Sequence, residues 1–400
     1  MILGQKITVL GAGIGGLSAA LALAQRGAQV TVLEQAEAIT EVGAGIQVSP
    51  NGARVLEALG VADRLAARSV TGRAVVLRDG LSGQDVAKLD LTQLPAHQRY
   101  LFVHRADIVD VLADAVRAAG VTIKLLQKVV DAQADGTVHL ATGAQHKADL
   151  VVAADGLHSR MRPALNGTAE PFFTGQVAWR CLVPNVIGHP MHARVHMGPG
   201  RHLVSYPLRD GKMVNIVAVE ERKLWAEEGW FHEDDPQNLK AAFAEFDPEV
   251  HLLLNATEKV FLWGLYRHPV ATRWTDGQGR VALLGDAAHP TLPFLAQGAN
   301  MALEDAWVLA DCLSQHDGTA AALAAYELQR KPRVSRVIEA ANANAWKYHL
   351  RRGPVRLAAH LGMRTLSRMA PGRLLHQFDW LYAHDVTQAS TPGRGSASVV

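Results

Sequence analysis

The sequence predicts an α/β fold in which a β-rich, α+β layer is inserted between parts of a parallel sheet. Three observations predict it. The first thirty-five residues read as a strand, a helix and a second strand. Two later apolar runs end directly in Asp-Gly and Gly-Asp pairs, as strands covered on both faces do at a ligand-binding edge. Between about 170 and 270, short β-rich segments alternate with turn residues, which is typical of an antiparallel sheet.

Composition narrows the class of protein before any motif is considered. Of 400 residues, 48% are hydrophobic and 20% are charged, which is ordinary for a globular enzyme. Forty basic against thirty-eight acidic residues give a net charge of +2, so the sequence predicts neither a nucleic-acid nor a membrane partner. Cys181 and Cys312 have no metal or redox spacing, and we find no targeting segment or apolar run of about 20 residues. We therefore expect a cytoplasmic protein without a metal site.

The N-terminal unit carries the first motif. Lys6–Leu10 predicts a strand, Leu17–Arg26 a helix and Gln29–Leu33 a second, parallel strand. Between the first strand and the helix stands a G-x-G-x-x-G pattern, which contains Gly11, Gly13, Gly15 and Gly16. Such glycines allow a tight turn, a close approach of a pyrophosphate and a close helix–strand contact at a helix N-terminus. Glu34 ends the second strand, where a carboxylate can accept hydrogen bonds from ribose hydroxyls. The unit predicts dinucleotide binding.

The two later apolar runs predict further strands of the same sheet. Leu150–Ala154 runs into Asp155-Gly156, and Val281–Leu284 runs into Gly285-Asp286. Because the carboxyl ends of parallel strands meet at one edge, we expect both aspartates to lie close to the glycine turn.

The remaining segments predict the inserted layer and the C-terminal helices. Strands of the layer are expected at Arg194–Met197, Leu203–Tyr206, Val214–Val219 and Val260–Leu265. Asp235-Pro236 predicts a capped helix that continues to about Phe246. After Glu304 we expect helix to about residue 350 with breaks such as Lys331-Pro332, and a frayed tail from Thr387 to Val400.

Three motifs in this order resemble those of the FAD-dependent aromatic hydroxylases, the single-component flavoprotein monooxygenases, and the resemblance covers most of the chain. Ala153–Arg162 resembles the Asp-Gly motif of that family, and Gly285–Pro290 resembles its Gly-Asp motif. The resemblance implies that Asp155 lies near the FAD pyrophosphate and the nicotinamide cofactor. It also implies that Asp286 binds the ribityl chain and that Arg105 contacts the ribityl–phosphate region.

Further contacts follow from the same resemblance. Gly298, Ala299 and Asn300 are expected to approach the flavin ring ahead of a helix over 301–313, whose positive end favours negative charge on the ring. The segment Gly43–Asn51, with Gly45, resembles one that lies beside the ring. We place Val129 among the cofactor contacts as well.

A candidate base lies in the inserted layer. His202, Val204 and Tyr206 share one face of a strand because side chains alternate with period two. A His four residues before a Tyr also occurs in the hydroxylases of 3-hydroxybenzoate, where both contact the phenol. By resemblance, His202 is the candidate base and Tyr206 a substrate contact, and a phenolate is a better nucleophile than a phenol. A structural histidine bonded to backbone or solvent remains the alternative. Trp179 and Arg180 are candidates for either pocket lining or core.

The predicted organisation has three parts. They are a discontinuous, Rossmann-like FAD-binding domain over 1–72, 99–170 and 271–340, a substrate-binding layer over 73–98 and 171–270, and a C-terminal helical region over 341–400.

The resemblance implies an FAD-dependent monooxygenase. NADH or NADPH would reduce tightly bound FAD, O2 would add to form a C4a-hydroperoxide, and one oxygen would pass to a hydroxybenzoate such as salicylate or 3-hydroxybenzoate. A flavin epoxidase or tailoring enzyme acting on a non-phenolic ring or alkene is the main alternative. An ordinary nicotinamide dehydrogenase and a non-catalytic flavin-binding protein rank lower. The sequence leaves open the choice of nicotinamide cofactor, the regiochemistry and whether the protein is a homodimer.

Overall fold

A computed structural model describes residues 2–39, 44–222 and 232–388. In this part of the chain the strands are β1 Lys6–Leu10, β2 Gln29–Leu33, β3 Gly45–Val48, β4 Val70–Thr71, β5 Ala74–Asp79, β6 Asp85–Asp90, β7 Leu101–His104, β8 Thr122–Lys124, β9 Val129–Ala132, β10 Val138–Leu140, β11 Gln145–His146, β12 Leu150–Ala153, β13 Phe172–Pro184, β14 His192–Gly198, β15 Arg201–Leu208, β16 Met213–Glu221, β17 Glu233–Asp234, β18 Val260–Arg267 and β19 Val281–Leu283.

The helices of the same residues are α1 Ile14–Gln25, α2 Pro50–Ala58, α3 Ala62–Ala66, α4 Arg105–Ala118, α5 Met161–Asn166, α6 Pro236–Ala242, α7 Pro248–Asn255, α8 Gly298–Gln315, α9 Thr319–Tyr348, α10 Pro354–Met369, α11 Pro371–His376 and α12 Asp379–Tyr382. Gly43, and the predicted frayed tail from residue 389 onward, lie outside the described residues.

A five-stranded parallel sheet with the order β19–β12–β1–β2–β8 forms the centre of the fold. Strand β12 is buried along its whole length, which explains its continuous run of apolar residues. Helix α1 packs against β1 and β2 and lies between α4 and α8. Thr8 of β1 hydrogen-bonds His146 of β11 at 2.6 Å, which joins the small antiparallel sheet β9–β10–β11 to this centre. The predicted α/β fold with an inserted layer is confirmed.

An eight-stranded sheet forms the inserted layer, with the order β17–β18–β13–β16–β15–β14–β5–β6. Its pairs are antiparallel except for β14 with β5, which run parallel. One face, with Trp179 and Leu203, forms a hydrophobic core with residues of α6 and α7 such as Leu239 and Leu253. Strands β5 and β6 come from a chain segment far from the other six and extend the sheet at one edge. The domain boundaries given above stay a prediction.

Helix boundaries differ from the sequence-based expectation in several places, and α1 already begins at Ile14, three residues earlier than expected. The helix expected to reach Phe246 ends at Ala242, because Asp247 caps a second helix by accepting the backbone N–H of Glu249 at 3.0 Å. Helix α8 begins at Gly298, three residues earlier than expected. Helix α9 runs through Pro332, so the expected break there is wrong. Pro332 leaves the carbonyl of Leu328 without an N–H partner, and Leu328 is exposed, so water can replace the missing donor.

Candidate active site

Seven of the predicted cofactor contacts line one cavity of about 800 Å³. They follow the carboxyl ends of β1, β2, β12 and β19, precede α1, or begin α4 and β9, and they are Gly11, Gly13, Glu34, Arg105, Val129, Asp155 and Asp286. The opposite wall belongs to the eight-stranded sheet, through Arg180, Leu182 and Trp263. The motifs that are far apart in the sequence therefore meet where the parallel sheet faces the inserted layer.

The glycines of the first turn have different surroundings. Gly11 has φ +94°, and a Cβ there would lie 2.6 Å from the Ala154 carbonyl oxygen. A Cβ on Gly16 would overlap the carbonyl oxygen of Gly11, and one on Gly15 would lie 2.8 Å from Leu284. Gly13 differs, because its φ is −76° and, apart from Gly13 itself and its neighbours along the chain, no atom of the described residues lies within 4 Å of its Cβ position. Protein packing explains the other three glycines, whereas Gly13 borders only the cavity, as a pyrophosphate site requires.

Glu34 supports the turn and still has acceptor capacity. Its Oε2 accepts the backbone N–H of Ala12 at 2.7 Å, and its Oε1 accepts that of Ala36 at 2.9 Å. Each carboxylate oxygen has a second lone pair, so ribose hydroxyls can still be bound.

Asp155 places a buried acceptor in the cavity wall. Its Oδ2 accepts the backbone N–H of Arg160 at 2.8 Å. Its Oδ1 is buried and meets no hydrogen-bond donor among the residues that the structure describes. Burial raises the pKa of Asp155, partly offset by hydrogen bonds from the following loop. An acceptor of this kind fits a ligand that brings its own donor.

Asp286 and Arg105 lie close to each other in the same cavity. Burial by the surrounding protein raises the pKa of Asp286, although the side chain is accessible through the cavity, and the charges of His289 and Arg105 act in the opposite direction. The backbone N–H of Arg105 donates to the Ala44 carbonyl at 2.9 Å and thereby fixes the start of α4 beside β3. A carboxylate and a guanidinium this close suit a ligand with both hydroxyl and phosphate groups.

A buried ionic network holds the Gly285–Asp286 loop. Asp305 Oδ2 accepts the backbone N–H of Gly285 at 3.1 Å and lies 2.5 Å from His289 Nε2, while its Oδ1 lies 2.7 Å from Arg330 Nε. Trp274 stacks on His289 with ring centroids 5.1 Å apart. Burial alone would raise the pKa of Asp305, but the charges of His289 and Arg330 lower it to about 2. The loop is therefore tied to both α8 and α9.

The first turn of α8 is tied to the Gly45 segment rather than exposed in the cavity. Asn300 Oδ1 accepts the backbone N–H of Ser49 at 3.0 Å, and its Nδ2 donates to the Gln47 carbonyl at 3.0 Å. Gly298, Ala299 and Asn300 do not line the described cavity, and neither does Gly45. Their contact with a flavin ring stays a prediction.

Gly45 allows β3 to lie directly against Tyr206. Its backbone N–H donates to Asn215 Oδ1 at 2.7 Å, and a Cβ there would lie 2.6 Å from the Tyr206 ring. The Tyr206 ring also lies 5.2 Å from that of Phe102. Burial raises the pKa of Tyr206, so its hydroxyl stays protonated and can donate a hydrogen bond.

His202 is buried at the start of β15, with 2% of its surface exposed. Its Nδ1 lies 2.7 Å from His349 Nε2, and its ring packs against Phe294 and Tyr348 at centroid distances of 5.8 and 5.2 Å. Burial, and then the charge of His349, hold the pKa of His202 well below its usual value. His202 is therefore a neutral proton acceptor at pH 7.

His202 and Tyr206 are not in the cavity lining but share a sheet face with residues that are. Tyr206 pairs with Asn215, which pairs with Leu182. In the same way, His202 pairs with Val219, Val219 pairs with Ala178, and Ala178 pairs with Trp263. Paired residues of neighbouring strands point to the same side. The face that closes the cavity at Leu182 and Trp263 therefore continues to the two predicted catalytic residues.

Residues 5–341 match the model of the family described as FAD binding domain. The chain belongs to this family. Among its relatives, 3-amino-4-hydroxybenzoate 2-monooxygenase PtmB3 of Streptomyces platensis is 35% identical, with 95% of this chain and 96% of the relative covered. The 3-hydroxybenzoate 6-hydroxylase of Klebsiella oxytoca is 32% identical over 94% of this chain and 96% of its own. A structure of Klebsiella pneumoniae HpxO complexed with FAD and uric acid matches with TM-score 0.81 and 30% identity, covering 93% and 95%.

These matches confirm the predicted family and cofactor. The predicted FAD-dependent aromatic-ring monooxygenase is also confirmed, since the named relatives are aromatic monooxygenases. The cavity of this FAD-binding-domain protein fits the cofactor, because Gly13 leaves space beside a helix N-terminus and Asp155 offers an unused acceptor. Within the described part of the chain, no helix is long and apolar enough to span a membrane. The same described residues contain no group of three or more His, Cys, Asp or Glu side chains that could hold a metal ion.

Sequence reasoning missed residues that lie near the two predicted catalytic residues of this FAD-binding-domain protein. Tyr100 donates from its hydroxyl to Gln47 Oε1 at 2.7 Å, and its ring lies 5.9 Å from that of Tyr382. His349, beside His202, was also missed. Tyr100 and His349 lie in distant segments and belong to no recognisable motif, so the sequence offered no signal for them. Of the two ambiguous residues, Arg180 lines the cavity, and Trp179 is fully buried in the core of the other face.

Proposed function

We propose that this protein hydroxylates a phenolic aromatic carboxylate, a hydroxybenzoate such as salicylate or 3-hydroxybenzoate, with FAD, NADH or NADPH, and O2. Both named relatives, by their names, act on hydroxybenzoate rings. The observation that carries the proposal is the continuous face of the eight-stranded sheet, which closes the FAD cavity at Leu182 and Trp263 and carries Tyr206 and His202 further along. A ring held against this face would lie beside the cofactor.

The cofactor and the protein have separate tasks in this proposal. Bound FAD supplies the reductive activation of O2. Gly11, Gly13, Glu34, Asp155 and Asp286 hold it, and Arg105 assists through the start of α4. The inserted layer excludes water from the reacting ring.

His202 is proposed to take the phenol proton. Its Nδ1 is engaged with His349, so Nε2 is the nitrogen left for the substrate. Because His202 is neutral at pH 7, it accepts the proton of a phenol hydroxyl and leaves a phenolate, which is more reactive toward an electrophilic oxygen. Tyr206, protonated and adjacent to the Gly45 segment, is proposed to orient the ring by hydrogen bonding.

The substrate class is tested with a panel of ring compounds. Salicylate and 3-hydroxybenzoate are compared with benzoate, which lacks the hydroxyl, with phenol, which lacks the carboxylate, and with uric acid, which the HpxO structure contains. Stimulated NADH and NADPH oxidation is measured, and products are identified by mass spectrometry. We expect the phenolic acids to stimulate oxidation and to gain one oxygen, and benzoate to do neither. The proposal fails if phenolic acids neither bind nor stimulate while another class does both.

A further inference from the structure

Three titratable side chains form a continuous hydrogen-bonded line from the buried His202 to the protein surface. His202 Nδ1 lies 2.7 Å from His349 Nε2, and His349 Nδ1 lies 3.0 Å from Glu221 Oε1. The side chain of His349 is 3% exposed, and that of Glu221 is 43% exposed. The line therefore starts in the core and ends in a carboxylate that solvent can reach.

Three separate chain segments build this line. His202 lies at the start of β15, Glu221 ends the neighbouring strand β16, and His349 directly follows α9. Gly200 joins them, since its N–H donates to the His349 carbonyl at 3.2 Å and its carbonyl accepts the N–H of Glu221 at 2.9 Å. These two backbone bonds hold the chain at His349 and at Glu221 beside the start of β15.

The two shorter contacts, His202 with His349 and His349 with Glu221, are consistent with one proton arrangement. An ionised Glu221 accepts from the Nδ1–H of His349, so the neutral His349 ring has its lone pair at Nε2. That lone pair accepts from the Nδ1–H of His202, which leaves the lone pair of His202 at Nε2. The line therefore sets His202 in the tautomer that can accept a proton from a substrate.

The groups around the two rings favour neutral imidazoles. Burial lowers the pKa of His349, Glu221 opposes this through its hydrogen bond and charge, and the charge of Arg201 lowers it further. Gln176 Nε2, which is uncharged, lies 3.5 Å from His349 Nδ1. Around His202 the contacts are the rings of Phe294, Tyr348 and His349. Neutral rings can pass a proton on, whereas a fixed imidazolium cannot.

We propose that His349 and Glu221 form a proton relay that carries the substrate's phenolic proton from His202 to solvent. The relay rests on the proposed function, because His202 must first accept that proton. The substrate O–H bond breaks as an N–H bond forms at His202 Nε2, and the proton on Nδ1 passes to His349 Nε2. The proton on His349 Nδ1 then passes to Glu221, whose carboxyl group releases it to water. One proton leaves, the phenolate remains, and no electrons are transferred. Return of one proton to the product oxygen resets both rings.

His349 and Glu221 are positioning residues in this proposal, so the test follows the proton itself. Oxidised holoenzyme is mixed with 3-hydroxybenzoate, or with the phenolic acid that the panel identifies, in weak buffer containing a pH indicator. Stopped-flow absorbance records proton release, and the ultraviolet band of the bound phenolate is recorded in parallel. His349→Gln and Glu221→Gln are compared with Glu245→Gln, an exposed carboxylate paired only with Arg352 in the described structure.

We expect both relay variants to release the proton roughly tenfold or more slowly, with ligand affinity within about twofold of the wild type. Added imidazole should restore the rate in His349→Ala, and Glu245→Gln should match the wild type. Wild-type rates in both relay variants would overturn the relay and leave the proposed function standing. If the wild type binds phenolic acids without forming phenolate, the base role of His202 fails and the relay falls with it. Should His349→Gln not fold, the exposed Glu221→Gln decides alone.

Discussion

At the scale of single residues, substitutions of Gly13 and Gly16 allow cofactor binding and folding to be tested separately. We expect Gly13→Val to leave the stability of the apoprotein unchanged and to lower FAD affinity roughly tenfold or more, because its side chain would enter space left for the pyrophosphate. Gly16→Val should instead destabilise the apoprotein, since even its Cβ overlaps the Gly11 carbonyl. Flavin-fluorescence titration and thermal unfolding of the apoproteins distinguish the two. Full FAD occupancy in Gly13→Val would contradict the placement of the pyrophosphate.

A second residue-scale prediction concerns His202. His202→Gln should lower the rate of hydroxylation by about 10²–10⁴ while the bound flavin spectrum is retained, and the exposed His376→Ala is the matched control. Because burial lowers the pKa of His202, its neutral form persists below pH 6.5, the usual histidine value. The wild-type rate should therefore stay level as the pH falls through 6.5 and decline only at lower pH. Undiminished turnover by His202→Gln would favour the alternative of a non-phenolic substrate.

At the scale of elements, the contact between α8 and α9 depends on buried charges. Arg330 Nη1 lies 2.6 Å from Glu304 Oε2, its Nε lies 2.7 Å from Asp305, and Arg333 also pairs with Glu304. We expect Arg330→Met to cost about 3–5 kcal/mol of unfolding free energy at pH 7, because two carboxylates lose a buried partner. Arg117→Met, which removes an exposed pair on α4, should cost under about 1 kcal/mol. Denaturant unfolding measures both, and equal effects would show that the network contributes little.

The same network predicts how stability depends on acid. Burial opposes ionisation, but the charges of the arginines and His289 prevail, so the pKa values of Glu304 and Asp305 fall from 4.5 and 3.8 to about 2. Lowered pKa values stabilise the folded state above pH 4.5, and this contribution is lost as the pH falls from about 4.5 to 2. Unfolding free energies measured across this range should decrease steeply, and Glu304→Gln should flatten the decrease. A constant free energy would contradict the prediction.

Elements marked by local residues were predictable, and elements that depend on distant contacts were not. Strands β1 and β2 have the bounds expected, because β-branched runs are closed by glycines and by Glu34. The helix break expected at Pro332 does not occur, because α9 packs against the rest of the fold and Leu328, whose carbonyl loses its N–H partner, is an exposed residue that water can reach. The residues that line the cofactor cavity could be predicted, because most of them belong to contiguous sequence motifs. His349 could not be found, since only the fold brings it to His202.

At the scale of the whole molecule, FAD should join the parallel sheet to the inserted layer, because its cavity is lined by both. Cofactor that binds only the folded state should add about 2.7 kcal/mol of stability at a hundredfold excess over its dissociation constant. Thermal unfolding of apoprotein titrated with FAD measures this gain. We expect the midpoint to rise with FAD concentration in the wild type and to change far less in Gly13→Val. An unchanged wild-type midpoint would mean that FAD does not act on the global unfolding step.

The strand order of the parallel sheet has a consequence for folding during synthesis on the ribosome. Val9 pairs with Val152, and Val152 pairs with Ala282, so the sheet lacks a neighbour on one side of β1 until much later segments have emerged. At about 5–20 residues per second, the wait from the first of these strands to the last is roughly a quarter of a minute to one minute. Throughout that interval the nascent chain exposes apolar strand edges. We therefore expect chaperones that shield such edges during translation to raise the yield of folded enzyme.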